Sequence, residues 1–145
     1  RPEALAVVES LQRRVEDAVG DGPLPFLPRV HVIDLADEGF IKPHVDSVKF
    51  SGGVVAGLSL LSAATMRFRP ADEASGKPIP ELLPTDFLLA PNSLYVMKGR
   101  VRYQFTHEVL PREREPTAAA GANRRISVML RDQHPDDVAA DGGRA

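Results

Sequence analysis

The chain has 145 residues, 43% hydrophobic and 26% charged, which fits one soluble domain with a core of its own. A net charge of −2 gives no global basic field that would mark it for nucleic acid. It has no cysteine, so disulfides and thiolate metal sites are excluded, and any metal must be held by His, Asp, Glu, carbonyls or water.

The first segment, PEALAVVESLQRRVEDAVG, carries Leu5, Val8, Leu11, Val15, Ala18 and Val19 at helical spacing. Pro2 suits a first turn and Gly20 a C-terminal stop. DGPLPFLP follows as a loop. After Pro28 the texture changes to short runs rich in β-branched and aromatic residues. These are RVHVIDL, SVKF, GVVAGLSLLS, TMRFRP, DFLLA, SLYVMKG, RVRYQFTHEV and RRISVMLR, separated by Gly, Pro, Asn or Asp. Eight candidate strands with no helical pattern between them predict a mainly β sandwich or jelly roll. The N-terminal helix is expected to buttress it through its apolar stripe. PADEASGKPIPELLPTD and PREREPTAAAGAN read as surface loops. Residues 133–145 read as a polar tail on a single domain whose core runs from about residue 28 to 132. The apolar runs are too short to span a bilayer. The chain begins at Arg1 rather than Met, as a piece of a longer protein would.

Chemistry is concentrated in a few residues. In IKPHVDS, His44 and Asp46 are two apart, and strand geometry points both to one side. With four histidines and eleven aspartates such a pair arises readily by chance. His134-Pro135-Asp136 in the polar tail is an instance that reads as structural. A third ligand has to come from another strand, and His107 in YQFTHEV is the candidate. Two His and one carboxylate leave open positions on an octahedral ion, as in non-haem Fe(II) oxygenases. Taken alone, His107 also reads as an ordinary polar residue at a strand edge.

RRISVMLR sets Arg125, Ser127, Met129 and Arg131 on one strand face and Ile126, Val128 and Leu130 on the other. A guanidinium inside a barrel needs a counter-anion, and a dicarboxylate held by the Arg fork would supply it, with Ser127 as a further donor. The competing reading is an edge strand with its arginines in water.

His44-x-Asp46, then His107, then Arg125-x-Ser127 with Arg131 six residues on, resembles the AlkB family of Fe(II)/2-oxoglutarate dioxygenases. Within it the chain is similar to the mitochondrial homologue-seven branch, through VHVIDLADEGFIKPHVDSVKFSGGVVAGLSLLS, NSLYVMKGRVRYQFTHEVL and RRISVMLR. The likeness covers about residues 28 to 132. It implies a double-stranded β-helix, Fe(II) on His44, Asp46 and His107, and 2-oxoglutarate and O₂ as co-substrates. It implies that Arg125 pairs with the far carboxylate of 2-oxoglutarate and that Arg131 lies near the same co-substrate or the substrate. Tyr95, His31 and Ile33 match positions lining the co-substrate pocket. Read by themselves, Tyr95 is a core aromatic with a polar tip and His31 a core histidine.

The resemblance further implies a mitochondrial protein tied to regulated necrosis and fatty-acid metabolism, acting on protein or mitochondrial RNA. The lids with which DNA-repair members grip a flipped base do not appear ahead of the first strand. Lys49, Arg67 and Arg69 are rim candidates that also read as a solvated face. Lys98, Arg100, Arg102, Arg112 and Arg114 flank the strand of His107 and would matter for RNA if they formed one patch. Two other classes remain open: an inactive jelly roll that binds a ligand or partner, and a metal-free scaffold docking through its N-terminal helix.

Overall fold

Helix α1, Pro2–Val19, forms where the apolar spacing predicts it. It buries Leu11, Val15 and Val19 and leaves Leu5 exposed. Gly20 ends it at φ 79°, a left-handed conformation that glycine adopts without strain, and its N–H bonds the Glu16 carbonyl. The computed structural model describes residues 2–112 and 119–134. Arg114, part of the PREREPTAAAGAN loop, and the tail beyond His134, including Pro135 and Asp136, lie outside them.

Eight strands follow: β1 His31–Leu35, β2 Ile41–His44, β3 Val54–Leu61, β4 Ala64–Pro70, β5 Thr85–Leu89, β6 Ser93–Lys98, β7 Phe105–Val109 and β8 Arg125–Arg131. They form two four-stranded antiparallel sheets, ordered β1-β8-β3-β6 and β2-β7-β4-β5. This is the expected mainly β jelly-roll architecture. Val55, Met97 and Met129 meet Ala64, Met66, Leu89 and Val109 in a core between the sheets. On the other face of the first sheet, Val54, Ala56 and Leu130 pack against α1. Strand β3 is thus covered on both sides, which is why GVVAGLSLL reads as an unbroken apolar run rather than an alternation. The helix is the buttress its stripe predicts. Lys98 Nζ ties it down by donating to the Val19 carbonyl at 2.7 Å, at the negative end of the helix dipole.

Two strand expectations are corrected. SVKF is not a strand, because residues 48–50 form a turn with Val48 and Phe50 exposed. The strand lies just upstream, in IKPH. RVRYQFTHEV is split: Arg100–Gln104 form a short helix, α2, and only Phe105–Val109 are extended. None of the described helices is long and apolar enough to cross a membrane.

A candidate metal and dicarboxylate site

Strand β2 pairs with β7 so that Ile41 faces Val109 and His44 faces His107. Three steps on β2 match two on β7, so β2 carries a bulge. Pro43, which has no N–H to give the ladder, sits in it on an edge strand, where proline is tolerated. The bulge delivers His44 opposite His107 with ring centroids 4.3 Å apart. Asp46 lies two residues beyond, off the strand, and its Oδ1 is 3.3 Å from His44 Nε2 and 4.0 Å from His107 Nε2. One donor atom from each of the three falls within 4.8 Å of the others, and they form a possible metal site.

The surroundings suit ligands. His44 Nδ1 lies 2.9 Å from the Lys42 carbonyl, which can only accept, so Nδ1 carries the proton and Nε2 keeps its lone pair for a metal. Burial pushes the His107 pKa down to about 4, helped by the neighbouring charge of His44, so its imidazole is neutral at pH 7. Burial would raise Asp46, but the hydrogen bond with His44 and the charge of Arg131 outweigh it and hold the carboxylate ionised. The hydrogen bond with Asp46 raises His44.

The loop that carries Asp46 is anchored from two directions, and these anchors were not evident from sequence. Arg102, 2% exposed, donates to the carbonyls of Asp46 (2.8 Å), Ser47, Ser51 and Gly52 and to Ser51 Oγ (2.8 Å). Buried Asp132 accepts from the N–H groups of Gly53 and Val54. Of the basic residues flanking the strand of His107, three are committed elsewhere. Arg102 is an internal clamp, Lys98 is spent on the helix end, and Arg112 holds Ser62 and the Ala63 carbonyl. At the supposed rim, Arg67 is paired with Asp86 across β4 and β5, and Arg69 donates to the Leu82 carbonyl. Lys49 lies over the Phe50 ring.

On the first sheet the register sorts the remaining candidates into rows. His31, Met129, Gly57 and Tyr95 lie side by side, as do Ile33, Ser127, Ser59 and Ser93. Gly57 leaves room there for Tyr95: a Cβ would meet its ring as it stands. Tyr95 Oη and Ser127 Oγ both donate to Met129 Sδ, at 3.4 and 3.2 Å. A thioether is a weak acceptor, so both hydroxyls keep the capacity for a stronger one. Arg125 is 1% exposed; its Nε donates to Ser59 Oγ at 2.9 Å, and its Nη2 is buried with no partner. The reading of its strand as an edge with arginines in water is overturned, since β8 runs between β1 and β3. Arg131 reaches Asp46 Oδ2 at 3.4 Å, which places it at the triad. Ile33 is half-buried against the inter-sheet core. His31 is exposed, because β1 is an edge strand, and the core reading of this residue is corrected. His134 is half-buried and stands outside the triad.

A buried guanidinium with a free donor, beside two hydroxyls resting on sulfur, fits a carboxylate-bearing molecule, and the His/Asp/His set fits a divalent ion of the Fe(II) type. A cleft of about 570 Å³ opens between edge strands β5 and β6. The triad does not line it, and it approaches the site through Phe68 and Tyr95. Phe68 stands next to His107, with ring centroids 6.2 Å apart.

Residues 2–131 match the family described as the 2OG-Fe(II) oxygenase superfamily. The alpha-ketoglutarate-dependent dioxygenase alkB homolog 7, mitochondrial, of Bos taurus is 43% identical over 124 residues, covering 84% of this chain and 53% of its own. The protein of the same name from Mus musculus is 44% identical over 124 residues, covering 82% and 52%. The chain spans about half the length of these relatives. A Pseudomonas putida prolyl-4-hydroxylase shares the fold, with a TM-score of 0.53 at 20% identity over 90% of this chain and 64% of its own.

Proposed function

The chain belongs to the 2OG-Fe(II) oxygenase superfamily, and on that premise we propose that it is an Fe(II)- and 2-oxoglutarate-dependent dioxygenase. We take its substrate to be macromolecular, a protein side chain or RNA that it hydroxylates or oxidatively demethylates, and its site of action to be the mitochondrion, for which its relatives are named.

One observation carries this reading: a His/Asp/His cluster shares an inter-sheet space with a buried arginine that keeps an unpartnered donor. When bound, the metal and 2-oxoglutarate would supply oxidative decarboxylation coupled to oxygenation of a C–H bond. The residues of the chain do the rest. His44, Asp46 and His107 hold the ion, and Asp46 contributes the negative charge that partly neutralises it. Arg125 receives the far carboxylate of the co-substrate, with Ser127 and Tyr95 as neutral donors nearby. Arg131 holds Asp46 in orientation. Arg102 and Asp132 keep the Asp46 loop from shifting, which matters because small displacements of a ligand degrade a metal site. The apolar side chains between the sheets keep the site dry.

The test is succinate formation from 2-oxoglutarate under air with Fe(II), read beside formaldehyde release from methylated RNA and mass gain on peptide pools. Succinate formed by the unsubstituted chain and lost in His107→Ala supports the reading. Equal turnover in both sinks it.

A further inference from the structure

Where β7 leaves its sheet, a second guanidinium lies half-buried at the same end of the fold as Arg125. Leu110 bonds back to Thr65, and Arg112 then turns toward the β3–β4 hairpin, donating through Nη1 to Ser62 Oγ and the Ala63 carbonyl. That hairpin borders Arg125 directly. Leu61 is the cross-strand neighbour of Arg125, and Ser62 Oγ also bonds the carbonyl of Arg124. The Nε and Nη2 atoms of Arg112 are buried, and neither has a hydrogen-bond partner. They share that condition with Arg125 Nη2, and no other buried side-chain nitrogen or oxygen among the described residues does. Burial lowers the Arg112 pKa, and the charge of Arg125 lowers it further. The acid whose charge Arg112 feels is Asp37, whose oxygens already accept from Gly121 and Asn123.

Buried cationic N–H groups without an acceptor are costly, and the three idle atoms, two on Arg112 and one on Arg125, are all of one kind. An ionised carboxylate has two oxygens and about four acceptor sites, enough for both guanidiniums. The geometry points to Arg112 as a second cation of the co-substrate site, donating to the far carboxylate of 2-oxoglutarate that Arg125 also receives. This rests on the dioxygenase reading and deepens it. The site then selects a 2-oxo acid with a second carboxylate, and pyruvate, which lacks one, gains nothing from Arg112. A purely structural Arg112 would instead pin the hairpin and be indifferent to the ligand.

Calorimetry on the Mn(II)-loaded protein separates the possibilities, with Mn(II) affinity measured first, then 2-oxoglutarate, then pyruvate. Arg112→Gln is expected to leave Mn(II) and pyruvate binding unchanged and to weaken 2-oxoglutarate by about tenfold to a hundredfold. Arg112→Lys, which keeps the charge, is expected to recover part of that loss. Thermal melting of both variants reports the fold, and Ser62→Ala removes the hairpin contact while leaving Arg112 in place. Unchanged 2-oxoglutarate affinity in Arg112→Gln overturns the assignment, as does an equal loss for 2-oxoglutarate and pyruvate, or a loss reproduced by Ser62→Ala. If the unsubstituted protein takes up Mn(II) but no 2-oxoglutarate, the dioxygenase reading falls and this assignment with it. If it binds both and only Arg112→Gln is without effect, the dioxygenase reading stands and Arg112 alone is refuted.

Discussion

Arg102 Nη1 donates to the backbone carbonyl of Asp46 at 2.8 Å, so the residue that aims the carboxylate of the candidate metal site is a buried arginine on another element. Four further contacts bind the same guanidinium to residues 47, 51 and 52. Arg102→Leu should remove all of them and strand the carbonyls, at a cost of roughly 2–5 kcal/mol in folding stability. Urea unfolding measures this. Mn(II) affinity should fall as well in whatever fraction stays folded. A variant as stable as the parent, with unchanged metal binding, would show that the clamp is dispensable.

Metal binding should need all three ligands. His44→Ala, Asp46→Ala and His107→Ala each leave two donors, too few to compete with water for a divalent ion. Calorimetry with Mn(II) should find one site per chain, lost in each variant and intact in His134→Ala. Loss in His134→Ala with retention in His107→Ala would reverse the assignment.

The two histidines should respond oppositely to pH. His107 is already neutral at pH 7, so the proton that competes with the metal belongs to His44, whose pKa Asp46 raises. Metal affinity should therefore climb as pH rises through and above the ordinary histidine range, and level off beyond it. In the metal-free fold, His107 titrates at about 4, below its unfolded value. The unfolded chain then binds more protons between about 6.5 and 4, and the His107 contribution to stability is lost as pH falls through that window. NMR titration of the two imidazoles decides the matter, and a His107 that protonates above pH 6 contradicts it.

Gly57→Ala should be destabilising by about 1–3 kcal/mol, because the new methyl meets the Tyr95 ring across the strand pair. The same substitution combined with Tyr95→Ala should cost less than the sum of the two, since the clash is gone. Strict additivity in a double-mutant cycle would mean that the ring simply moves aside.

Binding of single-stranded RNA should be weak, with a shallow salt dependence. The net charge is negative, and Arg102 and Lys98 are committed inside the protein or to the helix end. Filter binding at rising salt tests this. Micromolar affinity at physiological salt, lost in Arg100→Glu, would favour an RNA substrate.

Much of this protein was legible along the chain. The helix showed itself in the 3.6-residue spacing of Leu11, Val15 and Val19, and most strands in their β-branched runs, because both signals are local. His44, Asp46 and His107 were recoverable because ligand chemistry restricts residue type and because their order resembled a known family. Tertiary structure decided the rest. SVKF has strand composition yet turns, since the Asp46 loop is held by Arg102 and Asp132 from distant elements. IKPH looks too short and too polar for a strand, yet pairs with β7 through a bulge that composition does not announce. Arg102 and Arg112 read only as basic residues flanking the strand of His107, because a sequence carries no record of burial. The desolvation cost that makes a buried guanidinium seek five acceptors, or wait for an anion, exists only once the sheets have closed around it.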